Sequence, residues 1–188
     1  MSNMKRFWTI VRKGLAILWQ RLTRQGVGVT ALWAYDHVTR FLTGAPLRRV
    51  SQITPQLFVG GQYRRRGWRA LAERGITAVI NMRIEYDDND AGIAPARYLH
   101  LPTVDDAAPT LEHLRTGAAF IAEELARGGA VYIHCKSGIG RAASMAAAYF
   151  ITTGLTPEQA WARIRAVRPF VRPTPVQVAQ IERFAAED

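Results

Sequence analysis

Cysteine is the scarcest reactive residue in this sequence, since Cys135 is the only one among 188 residues. A single cysteine excludes an internal disulfide and fits a reducing compartment such as the cytoplasm. The four histidines, at positions 37, 100, 113 and 134, form no pattern with Cys135 that resembles a zinc site. We therefore expect a cytoplasmic protein that uses neither a metal nor an organic cofactor.

Long apolar runs are also absent. No uncharged stretch approaches the roughly 20 residues that a membrane-spanning helix needs. No continuous apolar core is followed by a small-residue cleavage site, so the sequence does not predict a secretory signal. The hydrophobic fraction of 48% is typical of a globular protein, and the length fits one domain plus an appendage.

Acidic residues are nearly missing from the first part of the chain. Residues 1–50 contain nine Lys or Arg and one acid, Asp36, for a net charge of +8, whereas residues 51–188 carry only +2. Gly44-Ala45-Pro46 then interrupts the apolar pattern. We predict a basic N-terminal segment, residues 1–49, followed by a nearly neutral main domain, residues 50–188.

Residues 5–24 predict a basic amphipathic helix, because their apolar residues recur at helical spacing. This pattern favours a helix that contacts an anionic membrane peripherally, at its inner face. A helix packed on the body and a mitochondrial presequence remain alternatives, while the tryptophans argue against nucleic-acid binding. The apolar positions are Phe7, Trp8, Val11, Leu15, Leu18, Trp19 and Leu22, and the basic positions opposite them are Lys5, Arg6, Arg12, Lys13 and Arg24.

The stretch around the cysteine predicts a strand, a loop and a helix. Residues 130–133 are an apolar run typical of a buried strand, and residues 142–150 are rich in helix-forming alanine. The loop between them therefore ends at a helix N-terminus, where free amides and the helix dipole favour an anion. Gly138 and Gly140 allow successive amides to point inward, and Arg141 adds a planar fork suited to two phosphate oxygens. An anion cradle with a thiolate at its base predicts a phosphate-transfer site.

This stretch resembles the signature His-Cys-x5-Arg of cysteine-dependent phosphatases, the protein tyrosine and dual-specificity superfamily. The resemblance implies that Cys135 attacks phosphorus to form a cysteinyl-phosphate and that Arg141 holds the equatorial oxygens. One position departs from the pattern, because Ala142 stands where the family usually has a serine or threonine that assists the second step. The resemblance implies substrate contacts from the remaining signature residues, namely His134, Lys136, Ser137, Gly138, Ile139 and Gly140.

A leaving alkoxide or phenolate needs a proton that a thiolate cannot supply. The family places an aspartate for this task after a strand upstream of the cysteine, where this sequence has Asp105 and Asp106. We favour Asp105 because Val-Asp directly after Pro-Thr is nearest to the family pattern. The sequence alone does not separate the two neighbours.

Within the superfamily, several short stretches look like the mitochondrial tyrosine-phosphatase-like phosphatases that act on phosphatidylglycerophosphate. The resemblance implies an anionic lipid substrate, and Glu85-Tyr86 partly matches an acidic Glu-Tyr loop of those enzymes near the site. A protein tyrosine or dual-specificity phosphatase is the alternative, and a slow-turnover module that binds phosphorylated partners is another. A sulfurtransferase is weaker, because His134 and Arg141 fit phosphate better. The matching stretches are Leu101 to Asp105, Pro109 to Leu111, His134 to Lys136, and Arg172-Pro173.

The order of predicted elements indicates an α/β fold with a central, mostly parallel sheet flanked by helices. We expect strands near residues 53–61, 76–82, 96–101 and 130–133. Thr156 and Thr174 each precede a proline and stand three residues before a glutamine, a pattern that predicts helix N-caps with capping boxes. Ligands of such sheets bind at the carboxyl ends of the strands.

Overall fold

The computed structural model describes residues 2–187, and the side chains of all of these except 2–7, 9–11, 13–18 and 20. Seven of the residues predicted to shape the amphipathic helix, Lys5, Arg6, Phe7, Val11, Lys13, Leu15 and Leu18, therefore lie outside the described side chains. The strands are β1 (Leu57–Gly61), β2 (Ala78–Arg83), β3 (Arg97–Thr103) and β4 (Val131–Cys135). The α-helices are α1 (Ser2–Thr43), α2 (Arg65–Ala72), α3 (Leu111–Ala126), α4 (Arg141–Thr152), α5 (Pro157–Val167) and α6 (Pro175–Glu187).

The four strands form one parallel sheet in the order β1-β4-β2-β3. The predicted α/β architecture is confirmed. Strand β4 lies between β1 and β2, so Cys135 at its end is next to Gly61 of β1. Every residue of β4 is buried, because helices cover both faces of the sheet. The cysteine therefore leaves the middle of the sheet at its carboxyl edge.

Side chains of β4 alternate between two apolar clusters. Val131, Ile133 and Cys135 belong to the larger cluster, which includes residues of α3, α4, α5 and α6. Tyr132 belongs to the smaller cluster on the other face, which includes Leu71 of α2. This alternation follows from the period of two along a strand. The alternation places the Cys135 side chain on the face of the sheet that α3, α4, α5 and α6 cover.

Helix α1 contains a sharp break at Gly26, whose backbone angles are φ 82° and ψ 168°. A positive φ is accessible to glycine at little cost, so Gly26 divides α1 into a first segment, residues 2–25, and a second segment, residues 27–43. The predicted helix over residues 5–24 is confirmed, but helical structure continues to Thr43. Gly44, with φ +81°, follows the helix as a C-terminal glycine commonly does.

The second segment packs on the body of the α/β domain. Asp36 is fully buried and lies 3.4 Å from the guanidinium of Arg168. Arg40 donates to the backbone carbonyls of Gln62 and Lys136, at 3.1 and 3.2 Å. No helix within residues 2–187 is both long and apolar enough to cross a membrane. The division into a segment of residues 1–49 and a domain of residues 50–188 stays a prediction.

Candidate active site

Cys135 lies at the base of a loop that joins β4 to the first residue of α4, Arg141. The thiol is buried, and the Gly138 amide donates a hydrogen bond to Sγ at 3.2 Å. Gly138 has φ +67°, and a Cβ there would lie 2.3 Å from the backbone of Gly60. Only glycine fits this backbone. The predicted strand, loop and helix are present, and they bring Cys135 and Arg141 together.

Arg141 is anchored by two other parts of the chain. It is 1% exposed and donates to the carbonyl oxygen of Thr103 at 2.7 Å. Its two terminal nitrogens bind the carboxylate of Glu85 in a bidentate pair, at 2.9 and 3.1 Å. One of them also lies 2.8 Å from Oδ1 of Asp105. Nε of Arg141 is buried and has no hydrogen-bond partner among the described residues.

Glu85 orients the guanidinium of Arg141. The hydrogen bonds from Arg141 lower the pKa of Glu85 to about 2, and a further hydrogen bond from Arg83 at 2.9 Å acts in the same direction. Glu85 is therefore ionised throughout the neutral range. The sequence predicted substrate contact for Glu85, and the structure places it on the arginine beside the cradle.

The two candidate acids have different surroundings. Asp105 forms the ion pair with Arg141, and its side chain is more than half exposed. Asp106 has an unusual positive φ of 62°, and its backbone carbonyl accepts a hydrogen bond from the Thr174 hydroxyl at 3.0 Å. Of the two carboxylates, the one of Asp105 is therefore in contact with the arginine of the cradle.

The same contact modifies the predicted capping box at α6. The Thr174 amide donates to Oε1 of Gln177 at 3.0 Å, which is the predicted reciprocal half of the box. The Thr174 hydroxyl, however, donates to Asp106 instead of accepting from the helix. At α5 the complete box between Thr156 and Gln159 is present, as predicted. The difference at α6 ties the loop of the candidate acids to the helix that closes the pocket.

His134 lies behind the loop and does not line the cysteine pocket. Adjacent residues of a strand point to opposite faces, so His134 turns away from the side on which Cys135 lies. Its ring is fully buried, and Nε2 lies 2.8 Å from Oδ2 of Asp88. The ring also stacks on Tyr132 at 5.8 Å between centroids. The substrate contact expected for His134 is replaced by this buried pair.

Tyr86 is also separate from the cysteine. Its ring lies under the guanidinium of Arg83 at 5.0 Å. Together with Glu85, it lines a different cavity of about 510 Å³. Glu85 reaches the cradle through Arg141, whereas Tyr86, its neighbour in the predicted Glu-Tyr match, does not line the cysteine pocket.

A buried arginine that the sequence did not single out supports the loop from behind. Arg168 is fully buried and donates to the carbonyls of Gly138 at 2.7 Å and Ser137 at 2.9 Å. A third donor reaches the carbonyl of Val50 at 2.9 Å, and Asp36 of α1 is its carboxylate neighbour. Fixing these carbonyls fixes the peptide planes whose amides form the cradle. The sequence contained one indication of this pair, because Asp36 is the sole acid among the first 50 residues.

The cradle opens into a pocket of about 480 Å³. Residues predicted for the cradle form part of its wall, with Asp105 and Asp106 beside them. Gln177 and Arg172 close one side, and Arg24 of the first segment of α1 completes the wall. Contribution of the N-terminal segment to this pocket was not predicted from the sequence. The cradle residues in the wall are Cys135, Lys136, Ser137, Ile139, Gly140 and Arg141.

The sequence of this chain is similar to those of known phosphatases. The sequence model of the dual specificity phosphatase catalytic domain matches residues 57–187. The chain is 31% identical over 143 residues to phosphatidylglycerophosphatase and protein-tyrosine phosphatase 1 of Homo sapiens, with 71% of each chain covered. It is 30% identical over 140 residues to protein phosphatase Slingshot homolog 3 of Rattus norvegicus, which covers 72% of this chain. The match spans only 21% of that longer relative.

A solved structure is also similar to this chain. The crystal structure of PTPMT1 in complex with PI(5)P superposes with a TM-score of 0.66 at 30% sequence identity, covering 72% of this chain and 93% of that one. The residues that the family model matches, 57–187, include the cysteine, the arginine and the complete sheet. The chain therefore belongs to the dual specificity phosphatase family, and it is a cysteine-dependent phosphatase.

Proposed function

We propose that the protein hydrolyses the phosphate monoester of an anionic phospholipid, with phosphatidylglycerophosphate as the first candidate, at the surface of an acidic membrane. One observation carries this proposal. The first segment of α1 contributes Arg24 to the wall of the pocket and exposes Trp8 and Trp19, whose surfaces are 59% and 70% accessible. The same helix therefore borders the pocket and presents side chains that favour a membrane interface.

The charge distribution supports membrane contact. The first 50 residues carry +8, and each basic residue near an anionic leaflet contributes about 1 kcal/mol of attraction. The name of the human relative includes phosphatidylglycerophosphatase, and a similar solved structure holds PI(5)P.

In the proposed first step, the Cys135 thiolate attacks phosphorus, so that an S–P bond forms while the bond to the leaving oxygen breaks. Asp105 donates a proton to that oxygen, a role supported by its position in the pocket wall beside Cys135 and the arginine of the cradle. Arg141 and the loop amides hold the equatorial oxygens, where charge is present in the transition state. The N-terminus of α4 adds its dipole to the same site.

In the second step, water attacks the cysteinyl-phosphate, the S–P bond breaks, and inorganic phosphate leaves. Asp105, now a carboxylate, accepts the proton of that water. Ala142 is buried and carries no hydroxyl that could assist the departing thiolate. Ser144, two residues further along α4, donates its hydroxyl to the carbonyl of Gly140 at 3.2 Å. We infer that hydrolysis of the cysteinyl-phosphate limits turnover.

The test compares lipid and protein substrates directly. Phosphatidylglycerophosphate in anionic vesicles is offered beside phosphotyrosine and phosphothreonine peptides, and release of inorganic phosphate is measured. We expect a higher kcat/KM for the lipid. We also expect the double variant, Trp8→Ala with Trp19→Ala, to bind vesicles less and to hydrolyse the lipid more slowly. Its rate with para-nitrophenyl phosphate should be unchanged.

Tyr35→Ala provides the matched control, because Tyr35 is an exposed aromatic residue of the second segment. That variant should resemble the unaltered chain with every substrate. Faster turnover of the peptides than of the lipid would instead favour a protein phosphatase, the alternative supported by the identity to Slingshot homolog 3. Binding of peptides without any turnover would favour the slow binding module.

A further inference from the structure

Three cationic side chains in the wall of the catalytic pocket have no carboxylate partner. Arg24 comes from the first segment of α1. Lys136 comes from the loop between β4 and α4, residues 136–140, which we call the phosphate loop, and Arg172 comes from the connection between α5 and α6. Among the described residues, none of the three forms a salt bridge. Arg141, in contrast, is held by Glu85 and Asp105. The pocket therefore carries positive charge beyond what its catalytic arginine accounts for.

The backbone fixes Arg172 beside the cradle. Its amide donates to the carbonyl of Ile139 at 2.9 Å, which joins the α5–α6 connection to the phosphate loop. Lys136 is the next residue after the cysteine, and its carbonyl is held by Arg40 at 3.2 Å. Both cations therefore start from backbone that belongs to the site.

Arg21 increases the crowding of positive charge behind this wall. It is buried, and its partners are neutral, namely Oε1 of Gln25 at 2.9 Å and the ring of Trp33 at 4.3 Å. Its Nε has no hydrogen-bond partner among the described residues. Burial, with the neighbouring charge of Arg172 as the second cause, lowers the pKa of Arg21 to about 10. Like charges gathered without a counterion favour the binding of an anion.

The size of the pocket fits a ligand larger than one phosphate. Its volume of about 480 Å³ lies within the roughly 300–1,000 Å³ of typical ligand sites. Among the described residues of the wall, four are basic, Arg24, Lys136, Arg141 and Arg172, and two are acidic, Asp105 and Asp106. Guanidinium groups bind phosphate oxygens in pairs, and a lysine adds a point charge.

The geometry points to a second anion subsite, formed by Arg24, Lys136 and Arg172, that binds a second phosphate of the substrate while the first lies over Cys135. This inference deepens the proposed function, because it names a recognition element beyond the transferred phosphate. It rests on the phosphatase chemistry of Cys135 and does not need the membrane. A phosphodiester of the substrate's own headgroup and a phosphate of a neighbouring lipid offer the same chemistry, so the test separates them.

The experiment uses two soluble substrates and no bilayer, so a neighbouring lipid cannot contribute. Glycerophosphoglycerophosphate carries a phosphate monoester and a phosphodiester, whereas glycerol 3-phosphate carries the monoester alone. For the full chain we expect a higher kcat/KM with the two-phosphate substrate. Arg24→Ala and Arg172→Ala should each lower the ratio of the two kcat/KM values about tenfold, as expected for one lost hydrogen bond between charged groups. The loss should appear mainly as a raised KM for the two-phosphate substrate.

Arg12→Ala is the matched control, since Arg12 is an exposed arginine of the same segment that is not part of the pocket wall. It should leave the ratio unchanged. Arg24→Lys should restore part of the ratio, whereas Arg24→Glu should lower it below that of the alanine variant. A ratio that stays within twofold in both alanine variants would overturn the subsite, as would equal kcat/KM values for the two substrates in the full chain.

Failure of the subsite and failure of the membrane proposal give different results in these assays. If vesicle-borne lipid is a poor substrate but the soluble ratio depends on Arg24, the subsite stands and the membrane role fails. If lipid turnover is fast but Arg24 and Arg172 leave the ratio unchanged, the proposed function stands and the subsite fails.

Discussion

The two segments of α1 lie on either side of Gly26 and relate to the catalytic site in different ways. The second segment buries Asp36 against Arg168 and reaches the phosphate loop through Arg40. The first segment exposes Trp8 and Trp19 and lends Arg24 to the pocket wall. One segment therefore supports the backbone of the cradle, while the other borders the space that a substrate enters.

The comparison shows that net charge alone is a poor guide to the role of a terminal helix. The summed charge of residues 1–50 suggested a single membrane-binding appendage, although residues 2–25 hold six Lys or Arg and no acid, whereas residues 27–43 hold one arginine and one aspartate. The lone acid and its buried arginine partner separate the two roles. Removal of one partner from a buried ion pair is costly, because the other charge is left buried without compensation, whereas exposed tryptophans contribute little to folding.

The largest expected effect comes from deleting both segments. A chain that lacks residues 1–43 loses Arg40, which holds the Lys136 carbonyl, and Asp36, the carboxylate beside Arg168, so the backbone of the cradle is less firmly held. We expect hydrolysis of para-nitrophenyl phosphate to fall about a hundredfold, the effect of misplacing reacting groups by roughly an ångström. A chain that lacks only residues 1–19 should keep most of this activity and lose vesicle binding.

These two deletions are compared by steady-state kinetics on the soluble substrate and by sedimentation with anionic vesicles. Circular dichroism checks that each shortened chain is folded. If the chain without residues 1–43 stays folded and as active as the longer one, then the second segment does not support the cradle.

A smaller effect is expected from breaking the buried pair alone. Asp36→Asn removes the carboxylate beside Arg168 and leaves a buried cation uncompensated, so the free energy of unfolding should fall by about 3–5 kcal/mol. The value of kcat on para-nitrophenyl phosphate should fall as well, because Arg168 also holds Ser137 and Gly138. Urea denaturation and steady-state kinetics measure the two effects.

Asp90→Asn serves as the control for that variant, because Asp90 is an exposed acid away from the cradle. It should change neither quantity. Unaltered stability and kcat in Asp36→Asn would mean that the carbonyl contacts of Arg168 suffice without a counterion.

Glu85 braces Arg141 from another part of the chain, and its effect is expected to be smaller and to depend on pH. Its pKa falls from 4.5 to about 2 on folding, so its contribution to stability is present above pH 4.5 and is lost as pH falls toward 2. The unaltered chain should therefore lose more stability over this interval than Glu85→Gln does. At pH 6 to 8 the glutamine variant should show several-fold lower kcat/KM, because Arg141 is less firmly oriented.

Thermal unfolding at a series of pH values tests the stability claim, and the difference between the two chains is the informative quantity. Parallel loss of stability in both chains between pH 4.5 and 2 would show that other carboxylates dominate acid unfolding. Substitution at Glu85 should leave vesicle binding unchanged, since neither segment of α1 contacts this residue through a hydrogen bond or an ion pair in the described part of the chain.

Local patterns in the sequence predicted the parts of the site that depend on neighbouring residues. The apolar run before Cys135, the glycines of the loop and the alanines after Arg141 are close in sequence, and they fold as predicted. The pairs that complete the site join distant residues, such as Asp36 with Arg168, which are 132 positions apart. Periodicity and capping patterns carry no information at that range.

Strand geometry is the reason that the position of His134 differs from the one expected from the family signature. The family signature places it beside the cysteine in sequence, but strand geometry places its ring on the opposite face, against Asp88. The position of Arg24 depends on the break at Gly26 and on how the first segment lies against the body. A helical pattern predicts which residues share a face but not what that face contacts.

The smallest expected effect concerns the chemistry alone and sharpens the comparison between the segments. If Ala142 leaves the second step unassisted, rapid mixing with para-nitrophenyl phosphate should show a burst of nitrophenolate followed by slow turnover. Ala142→Ser should raise the slow rate a few-fold and leave the burst rate unchanged, because its hydroxyl would stabilise the departing thiolate. Since the first segment is proposed to act only on substrate binding, the gain should be the same in the full chain and in the chain that lacks residues 1–19. A gain that disappears in the shorter chain would show that the first segment also influences the cradle, and the two segments would then share one role.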